Sequence, residues 1–165
     1  MAEWIPSGGD SKDRCGPTPG RVGDDELIAK FVSKSEWDSE LGQLNESSLS
    51  KRRLCPDGAK FDDQCGDSEG LSVQRSSAWS NQDTTARLAK FFEKNPEVAQ
   101  CVVMAVTRTL RGIRLQDKPA DQVVFVFDDS GEPGGTDHAI IRIIKPRPPL
   151  DFIRSKIIEA FQPRP

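Results

Sequence analysis

Val123-Val124-Phe125-Val126-Phe127 and His138-Ala139-Ile140-Ile141-Arg142-Ile143-Ile144, separated by Asp128-Asp129-Ser130-Gly131-Glu132-Pro133-Gly134-Gly135-Thr136-Asp137, form the stretch that decides the fold. Both apolar runs have strand length and are rich in β-branched and aromatic residues, the pattern of strands covered on both faces. The segment between them supplies glycine and proline for turn geometry, and its carboxylates keep a tip solvated. A pair of strands joined by an acidic hairpin connection is expected.

Further runs extend the sheet outward from this pair. Cys101-Val102-Val103-Met104-Ala105-Val106-Thr107 is another apolar strand, and Leu71-Ser72-Val73-Gln74-Arg75 alternates like a shorter one. Ser80 with Asp83 three positions on resembles a helix start, which predicts a helix over 82–94 carrying Leu88, Phe91 and Phe92 and ended by Asn95-Pro96. Ile153, Ile157 and Phe161 at four-residue spacing predict an amphipathic helix over 151–161, after Lys145-Pro146-Arg147-Pro148-Pro149 has stopped the preceding strand. Asp24-Asp25-Glu26 ahead of Leu27, Ile28, Phe31 and Val32 reads as an acidic first turn and a buried face, hence a helix over 24–33. Residues 34–70 are rich in Ser, Asp, Gly and Asn and read as connections, a length that marks a loop as functional or partly disordered. Residues 1–23 hold few apolar groups and read as a flexible tail, with Trp4 and Ile5 as its exceptions. The expectation is one α+β domain over 24–165, a small and mostly antiparallel sheet flanked by helices.

A chain of 165 residues can bury a core without disulfides or a structural metal. Its 35% hydrophobic and 30% charged residues fit a water-soluble globular chain. The net charge of −3 is uneven: residues 1–70 hold 9 Lys/Arg against 15 Asp/Glu, and residues 71–165 hold 14 against 11. Without a dense basic run to neutralise phosphates, nucleic-acid binding is not favoured. Cys15, Cys55, Cys65 and Cys101 lack Cys-x-x-Cys spacing, so a structural zinc is not expected, nor is any other metal or cofactor. There is no apolar leader, and no run reaches the ~20 apolar residues of a membrane span. Reduced thiols and a cytoplasmic location follow as expectations.

The candidate chemistry gathers around the single histidine, His138, with Asp128, Asp129, Glu132 and Asp137 in the loop before it. Imidazole beside carboxylates suits acid/base work or a hard cation. The alternative is a polar hairpin connection with no chemistry. Arg108, Arg111 and Arg114, three apart, could present guanidinium groups to an anion from one helical face, or form a solvated row. Arg75 has the same two readings, with an ion pair as the structural one. Ser72 and the cysteines are the candidate nucleophiles, but Gly-x-Ser-x-Gly is absent and the sequence places no nucleophile beside His138. A Walker-type phosphate loop is absent as well.

From Leu27 to Phe161 the order Leu27-Ile28-Ala29-Lys30-Phe31-Val32, Pro56-Asp57, Leu71-Ser72-Val73-Gln74-Arg75 and His138-Ala139-Ile140 resembles a group of uncharacterised bacterial proteins of similar size. Their corresponding segments read LSV-x-R and HA-x-I, and the resemblance brings no activity with it. This chain departs from them by extra residues over 58–69 and by Thr136-Asp137 before the histidine. The resemblance marks Arg75 and His138 as its polar residues. The loop Phe127–Thr136 also resembles the DDGEPSGT loop of the translation-linked Impact/YigZ family, and Val103–Leu115 resembles another segment of it, but the two stand here in reverse order.

No assembled catalytic motif emerges, so the sequence favours an accessory or protein-interaction domain with a protein partner of unknown identity. The rival is a small phosphoester-directed hydrolase or nuclease. In it His138 is the acid/base, Asp128 and Asp129 hold a metal or orient groups, and Arg75 or Arg108 holds phosphate.

Overall fold

The computed structural model describes residues 22–50, 54, 70–77, 79–128, 138–143 and 150–163. Eight strands and three α-helices occur among them: β1 (Leu27–Ser33), β2 (Trp37–Asp38), β3 (Gln43–Leu44), β4 (Leu71–Arg75), α1 (Asn81–Lys94), β5 (Ala99–Val106), α2 (Thr107–Arg111), β6 (Val124–Asp128), β7 (His138–Ile143), α3 (Leu150–Ala160) and β8 (Gln162–Pro163). Six strands form one sheet in the order β6-β7-β4-β1-β5-β8, and β2 pairs with β3 in a separate hairpin. Every pairing is antiparallel, which gives the expected α+β architecture.

The two strands of the deciding stretch pair with each other, Val126 opposite Ile141 and Asp128 opposite Ala139. All residues of β6 are buried, as are all of β7 after His138. Helix α1 begins at a reciprocal cap between Ser80 and Asp83 and ends at Asn95, as its sequence signals require. Helix α3 buries Ile153 and Ile157 against the sheet, and Phe161 follows them into the core.

One expected element is of the other kind. Residues 27–33 form a central strand, not a helix, paired to β4 on one side and β5 on the other. Apolar residues at i, i+1, i+4 and i+5 satisfy a helix stripe, but they also suit a strand with both faces covered. Ile28, Phe31 and Val32 are β-branched or aromatic, and two neighbouring ladders satisfy the backbone that a helix would have satisfied internally. The fold also takes in Val22, fully buried, and Gly23 at the end of the segment read as a tail. Residues 1–21, with Trp4 and Ile5, lie outside the described residues, as do Pro56-Asp57, Cys15, Cys55 and Cys65. The connection over 34–50 is built from two 3-10 turns and the β2–β3 hairpin.

Register assigns each strand residue to a face, because neighbouring side chains alternate. Ile28, Val73, Val103, Val126 and Ile141 point to the main core, where Leu110 of α2 and Ile153 and Ile157 of α3 cover them. Arg75 and Asp128 lie on this same face. The opposite face carries Ala29, Phe31, Gln74, Met104 and His138, with α1 laid across part of it. Phe91 of α1 meets Phe31 at a ring separation of 5.3 Å. A second buried group, Phe125, Phe127 and Ile140, belongs to that face.

Candidate functional site

At the end of the main-core face where β1 begins, a set of charges is drawn together from distant parts of the chain. Arg75 Nε donates to Glu26 Oε2 at 2.9 Å and Nη2 donates to Glu26 Oε1 at 2.6 Å, a two-point contact. Its Nη1 donates to Asp128 Oδ1 at 3.0 Å. Asp128 is 0% exposed and Arg75 only slightly more, so this pair is held well away from water. Alternation explains the meeting: Arg75 ends β4 and Asp128 ends β6, and both are set on the core face by their registers with β1 and β7.

The acidic triplet that preceded the expected helix has another task. Asp24 Oδ1 accepts from Arg111 Nη1 at 2.7 Å, Asp25 pairs with Arg108 at 2.9 Å, and Glu26 takes Arg75. Backbone contacts reinforce the clasp, since Arg108 N donates to Asp24 O, and both the amide and hydroxyl of Thr107 donate to Glu26 O. Three consecutive acids therefore bind three arginines from β4 and α2 and fix the start of β1. Glu26 is held below its ordinary value. Burial opposes its charged form, but the Arg75 hydrogen bonds, the Gly23 amide and the positive charges of Arg75 and Arg111 outweigh that penalty.

The arginine row after β5 is divided among different surroundings. Arg108 is 66% exposed beside Asp25. Arg111 is buried, and its Nη2 donates to Val126 O at 3.2 Å on β6. Arg114 lies beyond the end of α2 and donates to the carbonyl of Ile113. No single face presents all three.

His138 faces away from this clasp. It stands directly opposite Gln74, so its ring lies on the other side of the sheet from Arg75. There its Nε2 is 3.1 Å from Ser72 Oγ, a cross-strand neighbour on the same face. Of the residues singled out in sequence, the structure brings together Arg75 with Asp128 and His138 with Ser72. It does not bring His138 to Arg75 or Asp128, and Arg108 stands apart with Asp25. Asp129, Glu132 and Asp137 lie outside the described residues.

Asp24, Glu26 and Arg111 complete the clasp, and sequence reasoning gave them no role as ion-pair partners. Their signal was the acidic triplet, which fits a helix N-terminus equally well. Among the described residues no cluster of His, Cys, Asp and Glu forms a metal-ligand set. No helix among them is long and apolar enough to cross a membrane. The arrangement defines an antiparallel α+β domain with an internal acid–arginine clasp. No family model, curated protein or solved structure matches the chain.

Proposed function

We propose that this chain is a cytoplasmic accessory domain that acts by binding a protein partner. The observation that carries the reading is the clasp: Arg75 and Arg111, two of the guanidinium groups that the sequence offered to an anion, are buried against carboxylates of their own chain. An arginine already hydrogen-bonded at two or three points, and buried, offers little to a substrate. Several large apolar side chains meanwhile stand in water, among them Leu41, Phe92 and Val98. Binding proteins use such residues as anchors. The test is to capture partners with the intact chain and with a variant carrying both Ser72→Ala and His138→Ala. Equal recovery of one specific partner, with cellular activity retained, supports the reading; loss of activity in the double variant with the partner still bound refutes it.

The contact between His138 and Ser72 favours a second reading, a phosphoester hydrolase. In it Ser72 Oγ would attack phosphorus while His138 Nε2 takes its proton and passes it to the departing alkoxide; water would then release the phosphate by the reverse proton transfers. Burst release of nitrophenol from p-nitrophenyl phosphate, lost in Ser72→Ala and in His138→Ala, is the result this reading requires.

A further inference from the structure

We infer that the groove between the β2–β3 hairpin and α3 is the docking site for a basic, amphipathic segment of a partner protein, an inference that rests on the binding reading above. The groove encloses about 330 Å³. Leu44 and Ile158, both buried, form its apolar lining, and Leu41 stands at its edge with 68% of its surface in water. The charged side chains lining it are all carboxylates, namely Asp38, Glu46 and Glu159. Two of them are paired within the chain, Glu46 with Arg154 at 3.8 Å and Glu159 with Lys156 at 3.4 Å, and neither cation lines the groove. The apolar surface open to an occupant is chiefly that of Leu41, and every charged side chain lining the groove is acidic, so an apolar group flanked by positive charge suits it.

The exposure of Leu41 is built into the hairpin. Asp38 Oδ1 accepts from the amides of Glu40 and Leu41, both at 3.0 Å, and the Gly42 amide donates to Asp38 O at 2.8 Å. Gly42 has φ of 65°, a left-handed conformation that closes the turn and that a glycine adopts without steric cost. The turn thus sets the backbone of Leu41 so that its side chain stands away from the core. On the other wall, Ser155, Ile158 and Glu159 belong to α3, which is anchored through Ile153 and Ile157. Both walls are thus held by contacts within the chain.

The experiment uses the full chain and a short fluorescent peptide of alternating leucine and lysine, with a leucine–glutamate peptide as its counterpart, followed by anisotropy. The leucine–lysine peptide is expected to bind and the counterpart not to bind. Leu41→Ser is expected to weaken binding about tenfold or more, and Glu46→Lys with Glu159→Lys to weaken it similarly and to flatten its salt dependence. All three positions are solvent-exposed, so the variants should fold, and circular dichroism checks that they do. Equal binding of the two peptides, or variants that bind like the parent, would overturn the assignment. Concentration-dependent self-association abolished by Leu41→Ser would overturn it too, by giving the groove to a second copy. If instead a captured partner is retained by Leu41→Ser but the Ser72/His138 double variant remains active, the groove is wrong and the binding reading stands.

Discussion

Arg75 shows how a residue with the credentials of a ligand-binding group is taken up by architecture. A buried guanidinium left without its anion is costly, and removing one partner from a buried pair commonly destabilises by about 3 kcal/mol or more. Asp128→Ala leaves Arg75 paired with Glu26 and is therefore expected to lower unfolding stability by about 1–3 kcal/mol, read by urea denaturation. Arg108→Ala, at an exposed pair, should change it by no more than about 0.5 kcal/mol. Glu26 adds a pH dependence of definite sign. Its folded value lies below the ordinary 4.5, so its contribution is complete above that pH and is lost as pH falls through the lower folded value. Stability should therefore fall on acidification below about 4.5, and Glu26→Gln should flatten that part of the profile.

At the level of elements, β6 is the outermost strand on its side of the sheet. Two side chains occupy its carbonyls: Gln122 Nε2 donates to Val124 O at 2.9 Å, and Arg111 Nη2 donates to Val126 O. Strand edges covered in this way resist pairing with other chains. Arg111→Ala is expected to increase thioflavin-positive aggregation at high protein concentration; unchanged solubility would show that the edge is protected by other means. Gly70 is a tighter constraint, because a Cβ there would lie 2.8 Å from the Ile141 carbonyl oxygen. Gly70→Ala must push β4 and β7 apart and should cost about 1–3 kcal/mol in thermal unfolding. Most of these elements were legible in sequence, since β4, β5, β6, β7, α1 and α3 carry periodicity or cap signals of their own. Residues 27–33 were not, because their apolar spacing suits both a helix and a doubly covered strand, and only pairing with β4 and β5 decides between them. For the site, the sequence offered Arg75 and Asp128 as separate candidate catalytic groups, and the structure pairs them with each other. Their meeting depends on register across β1, β4, β7 and β6, which no local pattern encodes. The same alternation that brings them together turns His138 to the opposite face.

Across the whole molecule, the clasp joins parts far apart in sequence: residues 24–26 at the entry to β1, the end of β4, the turn from β5 into α2, and the end of β6. One face of the sheet is sealed by α2 and α3, with the clasp at its margin, and the other is partly covered by α1. On the binding reading proposed above, recognition falls to the periphery, including the hairpin groove. Whether the arginine–carboxylate set holds the fold together is decided by a double-mutant cycle. Arg75→Met, Asp128→Asn and the combination would be compared with the parent by urea unfolding. A structural clasp should give a coupling of about 1–3 kcal/mol, with the double variant more stable than the two single losses would add up to. Additive losses, with no coupling between Arg75 and Asp128, would contradict it.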